Sequence, residues 1–336
     1  MLVWLASVAL VALTLWFGIE KTRRHSHSVA GGIDTSVNLP HECEFELYSN
    51  SFSHCSRKTR LVMDELGLEY RYHSIDLIET GWYQTISPEY LKVNPAGLLP
   101  TLVHNGHPVY ESDYILTYAV QATGSGSPKL APNNPALLDE MNRWLDFCSI
   151  SSGDPMGEMA AKAGACIPGL TLPLFVTAIP YIPLRNILIG FLFHSDKKRP
   201  AFFSAAKLLG VERMMSQKPV RQLARASRDF MSGHLRTINV ALTRSNGDWI
   251  LGNAFSLADI TIGCLLLRLE ETGWLAHFTR TQNLDHVERF FEKLKARPSW
   301  RTAIDERVHP IIESAKLDLA EATSRDEKLY HLIYSG

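Results

Sequence analysis

Cysteine is scarce in this chain: five among 336 residues (Cys43, Cys55, Cys148, Cys166 and Cys264), widely spaced, odd in number and without a C-x-x-C pair. That pattern excludes a disulfide framework and a cysteine-rich zinc site, and it suits a reducing compartment. Net charge is lacking too. With 34 Lys+Arg against 35 Asp+Glu the formal sum is −1, which leaves no general electrostatic grip on nucleic acid. Charged residues make up 21% of the chain and hydrophobic ones 46%, which excludes a disordered polymer and supplies a real core. A length of 336 residues points to two compact units.

Charged side chains are wholly missing from residues 1–19, where Leu, Val, Ala, Trp and Phe dominate. As a helix this run is about 28 Å long at 1.5 Å per residue, enough to cross a hydrocarbon core. It has no basic start and no A-x-A-like site, so it reads first as an uncleaved transmembrane anchor, with a cleaved signal peptide and a partner-packing helix as alternatives. Lys21, Arg23 and Arg24 follow at once, and the positive-inside rule then puts the globular part in the cytosol. Residues 20–43 are mostly polar, with no apolar period over 25–40, and read as a flexible tether. His25 and His27 on it are two solvated side chains, too few to hold a metal.

Over residues 44–121 the pattern turns globular. Phe45 and Leu47 alternate with Glu44, Glu46 and Tyr48 as in a strand, and residues 49–53 form a polar loop. Residues 56–66 carry Leu61, Val62 and Leu66 at helical spacing, with Arg57, Lys58, Arg60, Asp64 and Glu65 expected to face water. Residues 70–76 alternate again. Residues 101–104 and 107–110 flank Asn105-Gly106, a tight-hairpin signal, and a helix is expected over 113–121. The order β-α-β, loop, β-β-α is a thioredoxin-like topology. It brings residues 49–53, 94–100 and 111–112 to one edge of the sheet.

Those three stretches carry a resemblance. Ser53-His54-Cys55-Ser56 with Arg60, then Asn94-Pro95-Ala96-Gly97-Leu98-Leu99-Pro100, then Glu111-Ser112 resemble the glutathione-contacting motifs of glutathione transferases. The Ser-x-Cys-Ser start is most similar to zeta-class enzymes (maleylacetoacetate isomerase) and to tetrachlorohydroquinone reductive dehalogenase. The resemblance implies glutathione as cosubstrate and a small apolar electrophile as its partner. A cis peptide at Leu99-Pro100 would let the Leu99 backbone pair with the cysteinyl backbone of glutathione. Ser112 at a helix start would take the γ-glutamyl carboxylate, and Glu111 the ammonium. Ser53 falls at the family's catalytic serine, a hydrogen-bond donor to the thiolate. Cys55 could instead resolve a glutathione adduct by thiol–disulfide exchange, or simply pack. Gln84 falls where the family has a glutathione-contacting glutamine, and His54 is read as a solvent-side neighbour.

Residues 122–135, with Gly124-Ser125-Gly126-Ser127-Pro128, read as a linker to an all-helical domain over 136–317. Leu137, Leu138, Met141, Leu145 and Cys148 are spaced for one apolar face; Phe230, Leu235, Ile238, Val240 and Leu242 are expected to do similar work. Ser256-Leu257-Ala258-Asp259 is a capping box opening an apolar helix. This box, and the run from Lys295 through Arg297-Pro298 to Trp300, are similar to the family's helical domain, whose usual form includes a dimer.

Residues 166–194 depart from that family. Pro168, Pro173, Pro180 and Pro183 interrupt an apolar run in which Arg185 is the sole Lys, Arg, Asp or Glu. Four prolines argue against a second straight span. The readings are a cover over the substrate pocket, a patch dipping into the anchor's bilayer, or a partner surface. Lys197-Lys198-Arg199 would suit an anionic lipid surface. Residues 318–336 read as a peripheral helix or frayed end. The leading function is a membrane-anchored transferase that activates the glutathione thiol. The alternatives are a non-catalytic sensor or organiser, similar to ganglioside-induced differentiation-associated proteins, and a Cys55-dependent thiol–disulfide oxidoreductase or reductive dehalogenase.

Overall fold

The computed structural model describes residues 1–124, 129–150 and 155–335; the expected linker residues Ser125 to Pro128 lie outside them. The apolar N-terminus forms α1 (Leu2–Arg23), and β1 (Gly32–Ile33), β2 (Phe45–Ser49), α2 (His54–Glu65), β3 (Arg71–Ser74), α3 (Pro88–Val93), β4 (Thr101–His104), β5 (His107–Tyr110) and α4 (Ser112–Ala122) follow. The sheet order is β1-β5-β4-β2-β3. β2 and β3 run parallel across α2, with Leu47 opposite Tyr72, as a crossover connection requires. β4 is antiparallel to both β2 and β5. Asn105 (φ 49°) and Gly106 (φ 84°) are both left-handed, the geometry of a two-residue hairpin matched to strand twist.

One strand was not expected. The stretch read as a free tether is laid along the sheet: Gly32 and Ile33 pair with Tyr110 and Val109, His27 N–H donates to Pro95 O (2.9 Å), Asp34 N–H to Pro108 O (2.8 Å) and Leu39 N–H to Gly106 O (2.7 Å). The edge of β5 takes β1 and the Asp34 N–H, the hairpin turn takes Leu39 and the loop after α3 takes His27, which is how an exposed strand edge is commonly covered. Low apolar content therefore did not make the segment free.

The helical part comprises α5 (Pro135–Phe147), α6 (Pro155–Glu158), α7 (Ile167–Ala178), α8 (Leu184–Phe193), α9 (Lys198–Met215), α10 (Lys218–Arg244), α11 (Leu257–Glu271), α12 (Trp274–Thr281), α13 (Asp285–Lys295), α14 (Pro298–Ala303), α15 (Pro310–Arg325) and α16 (Glu327–Tyr330). At its centre α11 starts on the expected capping box: Ser256 N–H donates to Asp259 Oδ2 and Ile250 N–H to Asp259 Oδ1, both 2.8 Å. Burial pushes the Asp259 carboxyl up to about 6. The buried stripe of α10 is Met231, Leu235, Ile238 and Leu242, whereas Phe230 and Val240 are exposed; the 3.6-residue period puts those two on the other face. On α5, Met141 and Leu145 are buried with Cys148 beyond, and Leu137 and Leu138 are exposed. The C-terminal tail is held rather than frayed: Ile333 and Tyr334 are buried, and Tyr334 Oη donates to Thr272 O (2.8 Å).

The proline-rich stretch divides in two. α7 has Pro168 in its first turn and Pro173 inside, and it is almost wholly buried, against α10 and α15. Pro183 precedes α8, which is buried on one side only.

Candidate functional site

The N-terminus of α2 is set by Ser53, whose Oγ accepts Ser56 N–H (3.3 Å), an N-cap that satisfies one orphan donor of the helix. The preceding loop is fixed by Asn50, which donates to Ile75 O and Thr80 Oγ1 and accepts Phe52 N–H. Ser53 and His54 then face a cavity of about 780 Å³ between the two domains. Leu99 lies in the same wall, and the Leu99-Pro100 peptide is cis, as expected. Tyr90 Oη and Asn94 Nδ2 both donate to Leu98 O, bracing the loop. The Leu99 N–H and C=O take no partner among the described residues. They form an unused edge on which an extended peptide can pair.

The opposite wall is apolar: Pro168, Leu172 and Phe175 of α7 with Phe202 and Phe203 of α9. Of the three readings of residues 166–194, the cover over a pocket is what α7 does.

Glu111 and Ser112 do not line this cavity. Ser112 opens α4, and Glu111 before it is left-handed at φ 66°, a conformation costing about 1–3 kcal/mol in a non-glycine residue and commonest at functional sites. The start of α4 is tied to α2 by the Lys58–Asp113 ion pair, and Ser149 Oγ also donates to Asp113 (2.7 Å). Cys55 and Gln84 are also absent from the cavity wall. Cys55 is half-buried in the first turn of α2 and outside the cavity wall. Gln84 accepts Asp76 N–H on its side-chain carbonyl (2.8 Å) and joins the end of β3 to the next loop.

The cations of α2 overturn the expectation that they face water: Arg57, Lys58 and Arg60 are all buried. α2 is sandwiched between the sheet and α11, so each cation has an internal partner. Arg57 forks onto Glu271 with bonds of 2.7 and 2.5 Å. Arg60 donates to Ala303 O, Ser49 Oγ and Asn50 O, and burial lowers it to about 10. Burial also opposes the Lys58 charge, yet Asp113 holds that ammonium above the usual lysine range. A sequence signal existed: Arg57 and Lys58 precede Leu61 and Val62 by four residues, hence share their face.

His54 is corrected in the same way. It is buried at the cavity with neither ring nitrogen partnered. Burial, then the Lys58, Arg268 and Arg57 charges, keep it well below the usual histidine range and therefore neutral.

Arg268 of α11 was missed altogether. Its guanidinium lies 4.1 Å over the Phe52 ring and donates to Phe52 O, while Nε and Nη1 have no hydrogen-bond partner. Glu271 is 3.6 Å from Nη1 but gives both oxygens to Arg57, so the cavity holds a buried, undercompensated cation. Among the described residues no cluster of three His, Cys, Asp or Glu side chains could hold a metal.

Residues 52–122 match the glutathione S-transferase N-terminal domain, and residues 210–298 the C-terminal domain. These two stretches carry the N- and C-terminal domains of the glutathione S-transferase family. It is 27% identical over 269 residues to the tetrachloro-p-hydroquinone reductive dehalogenase of Sphingobium chlorophenolicum, covering 77% of this chain and 95% of that protein. To glutathione S-transferase D7 of Drosophila melanogaster it is 33% identical over 102 residues, 30% of this chain and 44% of that one. The chain thus spans less than half the length of that fly relative. In fold it is similar to the β-etherase LigF of Sphingobium, with a TM-score of 0.62 at 17% identity over 79% of this chain and all of that one.

Proposed function

We propose that this chain is a membrane-anchored glutathione transferase whose globular part faces the cytosol and whose cavity takes an apolar electrophile. One observation carries the reading: Ser53, the unpaired Leu99 backbone and an apolar wall meet at one cavity of about 780 Å³. The cysteinyl backbone of glutathione lies along Leu99, its γ-glutamyl carboxylate at Ser112 and the positive end of α4, and its ammonium at Glu111. The thiol then sits at the N-terminus of α2, loses its proton to solvent and receives the Ser53 hydroxyl as donor. The helix dipole and Arg268 favour the anion further. The thiolate supplies the electron pair of a new S–C bond, and the leaving group departs with the bonding pair. Substitution, isomerisation and reductive removal of a halide all begin from that thiolate.

Cys55, outside the cavity wall, gives the thiol–disulfide alternative no support. The test is to pass the full chain in detergent micelles over immobilised glutathione and to assay the eluate with an aryl halide. Retention with turnover supports the proposal, retention without turnover supports the sensor reading, and no retention sinks both. Light scattering on the same sample tests the homodimer that the resemblance implies.

A further inference from the structure

α8 carries its apolar side chains on both faces. Asn186, Ile187, Gly190 and Phe193 are buried, and Asn186 Nδ2 donates to Ile78 O and Gly81 O, so the helix is fixed to the body. A Cβ on Gly190 would meet Pro200 Cγ at 2.7 Å, which shows how tightly α8 is pressed on α9. On the outer face Leu184 is 68% exposed and Leu188 57%, with Phe191 and Leu192 also exposed. Spacings of four, seven and eight residues put these on one stripe.

The end of α1 docks beside that stripe. Trp16 and Phe17 pack on Phe193 with ring centroids 6.4 and 5.6 Å apart, and Arg24 lies 5.1 Å over the same ring. Phe193 is therefore level with a point two to three residues inside the apolar run, about 3–5 Å from its polar end at 1.5 Å per residue. The surroundings are those of a lipid boundary. Exposed Trp82 is stacked under Arg185 at 3.6 Å, the ring type and cation enriched at headgroup level. Lys21 and Arg23 lie in the last turn of α1, and Lys197 and Lys198 follow α8. Ser26, just past α1, and Ser195, just past α8, join hydroxyls at 2.9 Å and both line the cavity.

We propose that the Leu184, Leu188 and Leu192 face of α8 lies in the headgroup and acyl boundary of the bilayer that α1 crosses, so that the cavity edge at Ser26 and Ser195 receives electrophiles dissolved in that bilayer. The inference rests on α1 being inserted, and it narrows the lipid contact expected of residues 166–194 to α8, since α7 is buried.

The test uses the full chain in phosphatidylcholine nanodiscs, in a Cys43→Ser, Cys55→Ser background, with an environment-sensitive fluorophore on Leu188→Cys, Val8→Cys or Leu208→Cys. Leu208, on α9, is 86% exposed and serves as the water-side control. Lipids spin-labelled near the headgroup should quench the Leu188 probe at least threefold more than the Leu208 probe. If Val8 is quenched by lipids labelled deep in the acyl chain while Leu188 stays as wet as Leu208, the α8 inference fails and the anchor stands. If Val8 is not quenched, the anchor fails and the α8 inference with it.

Discussion

α1 and the helix containing α7 are both long and apolar enough to cross a membrane, yet 6% of the α1 window is buried against 78% of the other. Composition does not separate them; the presence of partners does. α7 finds the apolar faces of α10 and α15 and one wall of the cavity. α1 meets the body only at its last turns, where Phe17 packs on Phe193 and Glu20 is covered by Arg24. The same apolar surface is thus core in one place and a candidate for lipid in the other.

The contrast is sharpest under a charge placed in each helix. Leu170→Arg, at a side chain with no exposure, should abolish folding, because an unpaired buried charge costs at least about 3–5 kcal/mol of a stability of similar size. Leu10→Arg, on an exposed stretch of α1, should leave the unfolding transition in micelles unchanged while weakening membrane insertion by about 2.5–3.5 kcal/mol, read by carbonate extraction. Equal loss of folding in both variants would remove the distinction.

Buried charge gives the complementary case. Glu271→Ala strips Arg57 of both its carboxylate bonds and should cost about 3–5 kcal/mol in denaturant unfolding; a loss below 1 kcal/mol would mean that this pair is solvated after all. Smaller still is the expected effect at the cavity. Ser53→Ala should lower turnover about 100-fold, on the scale of losing a single preorganised donor, and raise the pH midpoint of the rate profile, with Cys55→Ala near wild type. Arg268→Met should move that midpoint up by about one pH unit; an unmoved midpoint would leave Arg268 a packing residue only.

The mildest test is pH. His54 is neutral in the folded chain and burial, with three nearby cations, holds it well below 6.5, whereas the unfolded chain protonates it normally. The unfolded state then binds the extra proton, so stability is present above about pH 6.5 and is lost as pH falls toward the folded value. Wild type should lose about 1.5 kcal/mol more than His54→Gln between pH 6.5 and 5. Parallel curves would show that His54 takes up its proton without penalty.

Much of the fold was legible because it rests on local chemistry. Alternation at Phe45 and Leu47, Asn105-Gly106 in the hairpin and the Ser256–Asp259 box each report the conformation of their own few residues. Ser53 and Leu99 were legible as a cavity pair through their motifs. β1 was not, since a two-residue strand takes its partner from the open edge of β5 rather than from its own pattern. His54, Arg57, Lys58 and Arg268 were misplaced or missed, because their partners lie far along the chain: Glu271 is 214 residues beyond Arg57 and Phe52 is 216 before Arg268.

By itself the sequence determined the β-α-β, β-β-α order over residues 44–121, the caps and turns, and the motifs of the glutathione site, since each depends on neighbours within a few residues. Only the tertiary structure decided which apolar helix is core and which is bare, which cations are sealed under α2, and that the Arg268 guanidinium faces the cavity. Those outcomes are set by what happens to pack opposite, and free energies of burial depend on surroundings that no local window contains.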